Sequence, residues 1–130
     1  LLMDEMGVDG VDRVVLAGGE AMGALRALQA RGLVRAVGAS VGTVAGGLLG
    51  VERCDVLMVA RSADDAAMDR VIEAAHRRGV GVILKKALGG GRHPPSTLGP
   101  LLRLPGVHSA VIGTTDPANL RAACGAVTPG

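Results

Sequence analysis

Two adjacent lysines followed by a run of glycines are where this chain's residue types most clearly suggest chemistry. Lys85 and Lys86 close the apolar stretch Val80–Leu84, and Gly89, Gly90 and Gly91 follow after Ala87 and Leu88. Side chains alternate across a strand, so one lysine faces one side and the other the opposite side. Cations and bare backbone at the carboxyl end of a parallel strand make a place to hold an anion. The plainer alternative is a soluble strand end and a flexible loop. A second stretch is Gly113, Thr114 and Thr115, just before Pro117, which suits the first turn of a helix. The N-terminus of that helix can hold a phosphate or a carboxylate, or the threonines simply cap it. A third is Gly38–Ser40, where a serine closes another strand. His76, His93 and His108 lack metal-ligand spacing, and so do Cys54 and Cys124. No metal site is expected, and the two cysteines read as reduced core thiols.

The elements that must position these residues alternate along the chain. Its 130 residues suit one domain, residues 1–130. There is no aromatic residue, so the core must be built from Leu, Val, Ile, Met and Ala. No tyrosine can act as a general acid, and no aromatic ring can stack on a base. The net charge of +2 is dispersed, which argues against nucleic acid as a partner. No apolar run is long enough to span a membrane, so no membrane partner is expected. No signal peptide is visible before Asp4 and Glu5, and the expected location is the cytoplasm.

Leu2–Gly7 reads as the tail of a helix, Val11–Ala17 as a strand, and Gly18 and Gly19 as a turn. Glu20–Arg31 reads as a helix with Met22, Leu25 and Leu28 on one face, stopped at Gly32. Strands follow at Leu33–Ala39, Asp55–Ala60, Val80–Leu84 and Val107–Ile112. Between them, Thr43–Arg53 reads as a helix weakened by Gly46, Gly47 and Gly50. The next helix has Ser62 as its expected N-cap, an apolar face of Met68, Val71, Ile72 and Ala75, and a stop at Gly79. Its last turn holds His76, Arg77 and Arg78, where cations suit the dipole. Leu98–Leu104 is a short helix, and Pro117 opens the last, which runs to about Ala123. The strand after Gly79 is expected to be buried on both faces. This βα alternation predicts an α/β fold with a parallel sheet. A full eight-stranded barrel needs about 250 residues, so the chain supplies about half of one.

Four stretches together resemble the aldo/keto reductases. Leu2–Ala17 resembles the family's L-x-x-L-G-x-D-x-x-D-x-x-x-x-H, with Met6 for the second Leu and Gly7, Asp9 and Asp12 matching. Gly32–Ser40 resembles the strand-five signature through Gly32, Val34, Arg35, Val37, Gly38 and Ser40. Gly79–Gly91 resembles the strand-seven segment, and Ser109–Leu120 resembles strand eight and the turn after it. The resemblance implies a partial TIM (β/α)8 barrel, about strands four to eight with their helices, apparently truncated at its N-terminus. It implies an NAD(P)H-dependent oxidoreductase that reduces small-molecule carbonyls to alcohols, represented here by its cofactor-binding half. NADP(H) is the cofactor it implies first, with NAD(H) as the other. By the same resemblance Ser40 meets the nicotinamide carboxamide, since a hydroxyl can both donate and accept. Lys86, Leu88 and Gly89 form the pyrophosphate loop, and Gly113, Thr114, Thr115 and Asn119 form the adenine-side loop.

The departures shape the expectation. The family's catalytic Asp, Tyr and Lys precede the first residue here, and the position of its His is Ala17, so no catalytic residue is assigned. Val41 follows Ser40 where Asn is usual, and Met58 and Ala123 replace a Gln and an Asn. Thr115 and Asn119 stand where basic residues often select NADP. Two readings of another kind stay open: a non-catalytic nucleotide-binding or interaction protein on the same scaffold, or a truncated inactive gene product. Open barrel edges also make self-association an expectation.

Overall fold

A computed structural model describes residues 14–16 and 21–127. The expected helix tail at Leu2–Gly7, the turn at Gly18 and Gly19, and Ala17 lie outside the described residues. Five strands form one sheet: β1 (Val14–Leu16), β2 (Ala36–Ser40), β3 (Val56–Ala60), β4 (Gly81–Lys85) and β5 (Ser109–Ala110). Every neighbouring pair is parallel, and the spatial order is the chain order. Parallel neighbours need a crossover, and helices supply it: α1 (Met22–Ala30), α2 (Val44–Arg53), α3 (Asp69–Arg78) and α4 (Leu98–Leu102). α5 (Pro117–Val127) follows β5. An unreversed strand order distinguishes this layout from a doubly wound sheet and matches the wall of a β/α barrel.

Register defines two faces. Leu57, Val59, Val82 and Leu84 are fully buried and pack with Val51, Val71, Ile72 and Ala75 of α2 and α3. Val37 packs on the same side with Leu25 of α1. The opposite, inner face carries Gly38 and Ser40 of β2, Val56 and Met58 of β3, and Gly81, Ile83 and Lys85 of β4. β4 is therefore not buried on both faces: Val82 and Leu84 are buried, while Ile83 and Lys85 remain half-open.

The glycines of α2 have a packing cause. A Cβ at Gly47 would lie 2.7 Å from both γ-carbons of Val71, and one at Gly50 would lie 2.7 Å from Leu57 Cδ2. Bare backbone lets α2 settle against α3 and the sheet, and this packing offsets the helix propensity lost. Thr43 caps α2 by accepting from the Gly46 N–H at 3.1 Å.

At the amino ends of the strands, Asp55 ties four elements together. Its Oδ2 accepts from the Val37 N–H at 2.8 Å, from Gln29 Nε2 at 2.8 Å and from Arg26 at 2.7 Å. Its backbone carbonyl accepts from the Gly81 N–H at 2.8 Å. Burial raises the carboxyl's pKa, but these hydrogen bonds outweigh it and hold it below the ordinary value. Burial also pushes the neighbouring Cys54 thiol up, which suits an inert core thiol. Neither cysteine is in a disulfide, and Cys124 is exposed, so only one of the two lies in the core.

Several boundaries differ from expectation. Ser62 is not the N-cap of α3; it bridges to Asp65 in a turn, and α3 begins at Asp69 after Met68. Leu33–Arg35 precede β2 rather than belonging to it, and Leu33 is 46% exposed. β5 is only two residues long, yet pairing continues past it through the Val111 N–H to the Leu84 carbonyl at 2.9 Å. His108 acts structurally, accepting from the Val82 N–H at 3.1 Å.

Candidate functional site

Parallel strands put all their carboxyl ends on one side of a sheet, so the loops after β4 and β5 are neighbours. They enclose a cleft of about 720 Å³. Lys86, Leu88, Gly90, Gly91, Arg92 and His93 form one wall, and Gly113, Thr114 and Asn119 line the other side. Two cations and an imidazole face the cleft, and no carboxylate lines it. The geometry therefore favours an anion.

The loop after β4 is shaped by its backbone. Lys86 has φ +56°, the left-handed region, and Gly89, Gly90 and Gly91 also have positive φ. The Gly89 N–H donates to the Lys86 carbonyl at 2.8 Å, and the Gly91 N–H to the Leu88 carbonyl at 2.9 Å. This coil swings the chain off the end of the strand and leaves the Lys86 side chain exposed at the rim. Gly89 is buried under His93: a Cβ there would lie 2.7 Å from the imidazole Cδ2.

A second loop holds this one in place. Asp64, between β3 and α3, accepts from His93 Nε2 at 2.7 Å, from the Ser62 hydroxyl at 2.7 Å and from Arg92 at 3.4 Å. The Ser62 hydroxyl and then the imidazole keep the Asp64 carboxyl well below the usual carboxylate range. It is thus an anion at neutral pH, and it anchors both Arg92 and His93.

Thr114 and Asp116 shape the loop after β5. The Asp116 N–H donates to Thr114 Oγ1 at 3.1 Å, and Asp116 Oδ1 accepts from the Ala118 N–H at 2.8 Å. The start of α5 is therefore capped by a carboxylate. Asn119 Nδ2 lies 3.4 Å from Thr114 Oγ1.

The structure thus gathers Lys86, Leu88, Gly113, Thr114 and Asn119 around one cleft. Gly89 supports that cleft from beneath, and Thr115 is exposed beside it. Ser40 lies outside the cleft, at the end of β2. It connects to β4 through Lys85, whose Nζ donates to Ser40 Oγ at 2.8 Å across the inner face. Sequence reasoning missed Arg92, His93 and Asp64. Their partnership spans 28 and 29 residues and has no local pattern to announce it.

Among the described residues no cluster of His, Cys, Asp and Glu is arranged to hold a metal ion. No helix among them is long and apolar enough to cross a membrane. No family profile matches the chain. No curated protein matches it either. Solved structures do. A candidate aldo-keto reductase from Pseudomonas aeruginosa superposes with a TM-score of 0.79 at 30% identity, over 92% of this chain and 52% of that one. A second structure described in the same terms, also from Pseudomonas aeruginosa, gives 0.75 at 30% identity, over 93% of this chain and 54% of that one. The chain spans about half the length of the structures it matches. Together with the four motifs, this gives the chain the fold and the family resemblance of about half of an aldo-keto reductase barrel.

Proposed function

We propose that this chain is the cofactor-binding half of an oxidoreductase that uses a nicotinamide dinucleotide to reduce small carbonyl compounds to alcohols. The observation that carries this reading is the cleft at the carboxyl ends of β4 and β5, which is lined by cations and by no carboxylate. A pyrophosphate fits those residues. Lys86 and Arg92 supply positive charge, and Gly90 and Gly91 offer open backbone, since a Cβ there would meet nothing within 4 Å. In this reading Lys86, Leu88 and Gly89 form the pyrophosphate loop, and Gly113, Thr114, Thr115 and Asn119 border the adenine side. Ser40 holds the nicotinamide carboxamide. The dinucleotide supplies a hydride when bound; the chain's own residues bind and orient it.

Reduction of a carbonyl also needs a proton donor at the oxygen. The family's donor is a tyrosine, and this sequence contains none. The Lys85 ammonium is the substitute that this mouth of the sheet offers, and it already donates to Ser40 Oγ at 2.8 Å. Binding without turnover is therefore the expected behaviour of these residues alone, and losing general acid catalysis costs about 100- to 10,000-fold. Ala17, at the position of the family's His, favours the second reading, a nucleotide-binding protein without catalysis. NADP(H) is the cofactor that the resemblance favours. Yet the Asp116 carboxylate at the start of α5 opposes a 2′-phosphate there, so NAD(H) is the comparison to make.

Calorimetry with NADPH and NADH tests the binding. Lys86→Ala should weaken it by about 1–2 kcal/mol, the order of a charge-assisted hydrogen bond at an exposed site. Equal affinity in the variant would remove Lys86 from the site. NADPH oxidation with reactive aldehydes then separates the enzyme from the binding protein.

A further inference from the structure

The Lys85–Ser40 pair has a consequence for the oxidation state of the ligand. Lys85 reaches from β4 over the inner face, and the only hydrogen bond of its ammonium among the described residues is the one to Ser40, at 2.8 Å. No carboxylate among the described residues pairs with it. It is half-buried at the same mouth of the sheet as the cation-lined cleft, and it projects from the face that Ile83 and Met58 make apolar. An ammonium has three donors. One is used on Ser40, and two are left for a ligand.

The bond also fixes what Ser40 can offer. With one lone pair occupied by the ammonium, the hydroxyl is polarised and its own proton is free to donate. We propose that Lys85, acting with Ser40, makes the nicotinamide end of the site select the reduced cofactor over the oxidised one. This inference rests on the reading of Ser40 as the carboxamide contact. An oxidised nicotinamide ring carries a positive charge, and a fixed ammonium one hydrogen bond from its carboxamide partner repels it. A reduced ring is neutral, and its nitrogen lone pair pushes electron density onto the carboxamide oxygen. That oxygen is then the better acceptor for the Ser40 hydroxyl. Both effects favour the reduced form. Lys85 thus discriminates between two states of one cofactor, while Lys86, at the rim of the cleft, serves the phosphates that both states share.

The test compares three ligands: the reduced dinucleotide, the oxidised dinucleotide, and the matching ADP-ribose, which lacks nicotinamide. The chain has no aromatic residue, so reduced-cofactor fluorescence can be followed without a protein background. Calorimetry gives the other two affinities. The wild-type protein should bind the reduced form about tenfold more tightly than the oxidised form, the scale of two charges a few ångströms apart in a partly wet site. Lys85→Met should reduce that ratio to about twofold or less, Lys85→Arg should keep most of it, and ADP-ribose should bind all three proteins alike. If ADP-ribose binds but the ratio is the same in Lys85→Met, the proposal is wrong and the assignment of the cleft stands. If ADP-ribose and both dinucleotides all fail to bind the folded wild-type protein, the assignment of the cleft falls, and this inference with it. Circular dichroism establishes folding, and Lys85→Gln replaces Lys85→Met if the latter is unfolded.

Discussion

Replacing Lys86 by glycine should make the protein more stable and its anion cleft weaker. Lys86 has φ +56°, which costs an L-residue roughly 1–2 kcal/mol. Its side chain is exposed and has no hydrogen-bond or ion-pair partner among the described residues, so no folded-state contact is lost with it. Glycine removes the conformational cost but gives the unfolded chain more freedom, which opposes the gain by about 0.4–1 kcal/mol. The conformational relief is the larger effect, and a net stabilisation of about 0.5–1 kcal/mol follows. Lys86→Ala keeps the left-handed cost and should be less stable than Lys86→Gly by about 1 kcal/mol. Lys86→Asn should fall between them, since asparagine tolerates that conformation. Both glycine and alanine variants lose the ammonium, so both should bind the dinucleotide about 5- to 30-fold more weakly. Urea unfolding followed by circular dichroism gives the first quantity and calorimetry the second. If the glycine variant is no more stable than the parent, Lys86 stores no strain. If it binds as well as the parent, the conformation serves something other than holding an anion.

Other consequences follow from the packing and the charges. Gly47→Ala should gain up to about 1 kcal/mol of helix propensity but lose about 1–3 kcal/mol to its clash with Val71, whose branched side chain cannot swing clear in a helix. The variant should therefore be destabilised on thermal unfolding, and Val71→Ala in the same chain should recover part of the loss. Asp55 has a lowered pKa, so its stabilisation is complete above the unfolded value near 4 and disappears as pH falls through the lower folded value. Asp55→Asn should cost about 2 kcal/mol at pH 7, allowing for a side chain 38% exposed, and should flatten stability against pH in acid. Asp116→Ser keeps a cap on α5 but removes its charge, and should improve NADPH binding relative to NADH; an unchanged ratio would place the 2′-phosphate elsewhere. β1 and β5 are the edges of the described sheet, so sedimentation should find association at tens of micromolar, and a monomer there would count against open-edge pairing.

The sequence was most informative where a pattern is local. The face of α3 through Val71, Ile72 and Ala75 follows from helical periodicity, and its end follows from Gly79, which has φ +69°. The β-branched runs of β3 and β4 likewise stood out. Ser62 misled because serine followed three residues later by an acid is also satisfied by a closed turn, and here its hydroxyl turns to Asp64 instead of a helix N–H. The glycines of α2 suggested weakness because the sequence does not reveal that Val71 and Leu57 occupy the space a Cβ would take. The candidate site was legible by residue type: lysine, glycines and threonines at strand ends. Its supports were not. Asp64 with His93, Lys85 with Ser40, and Asp55 with Arg26 join residues that meet only when separate βα units are stacked.

That stacking also bears on how the chain folds. Each strand pairs with the next strand in sequence, as Gly38 does with Val56 and Val56 with Gly81. No pairing among the described strands waits for a distant part of the chain, so loop-closure entropy is met in modest, similar steps. A ribosome releasing the chain would expose β2 and β3 with α2 between them before β4 emerges, and each new strand would find its docking edge already in place. The same sequence supplies an intermediate at every step whose last strand is unpaired. The most vulnerable moment in synthesis is therefore the interval in which β3 is complete and the apolar run Val80–Leu84 has yet to cover it.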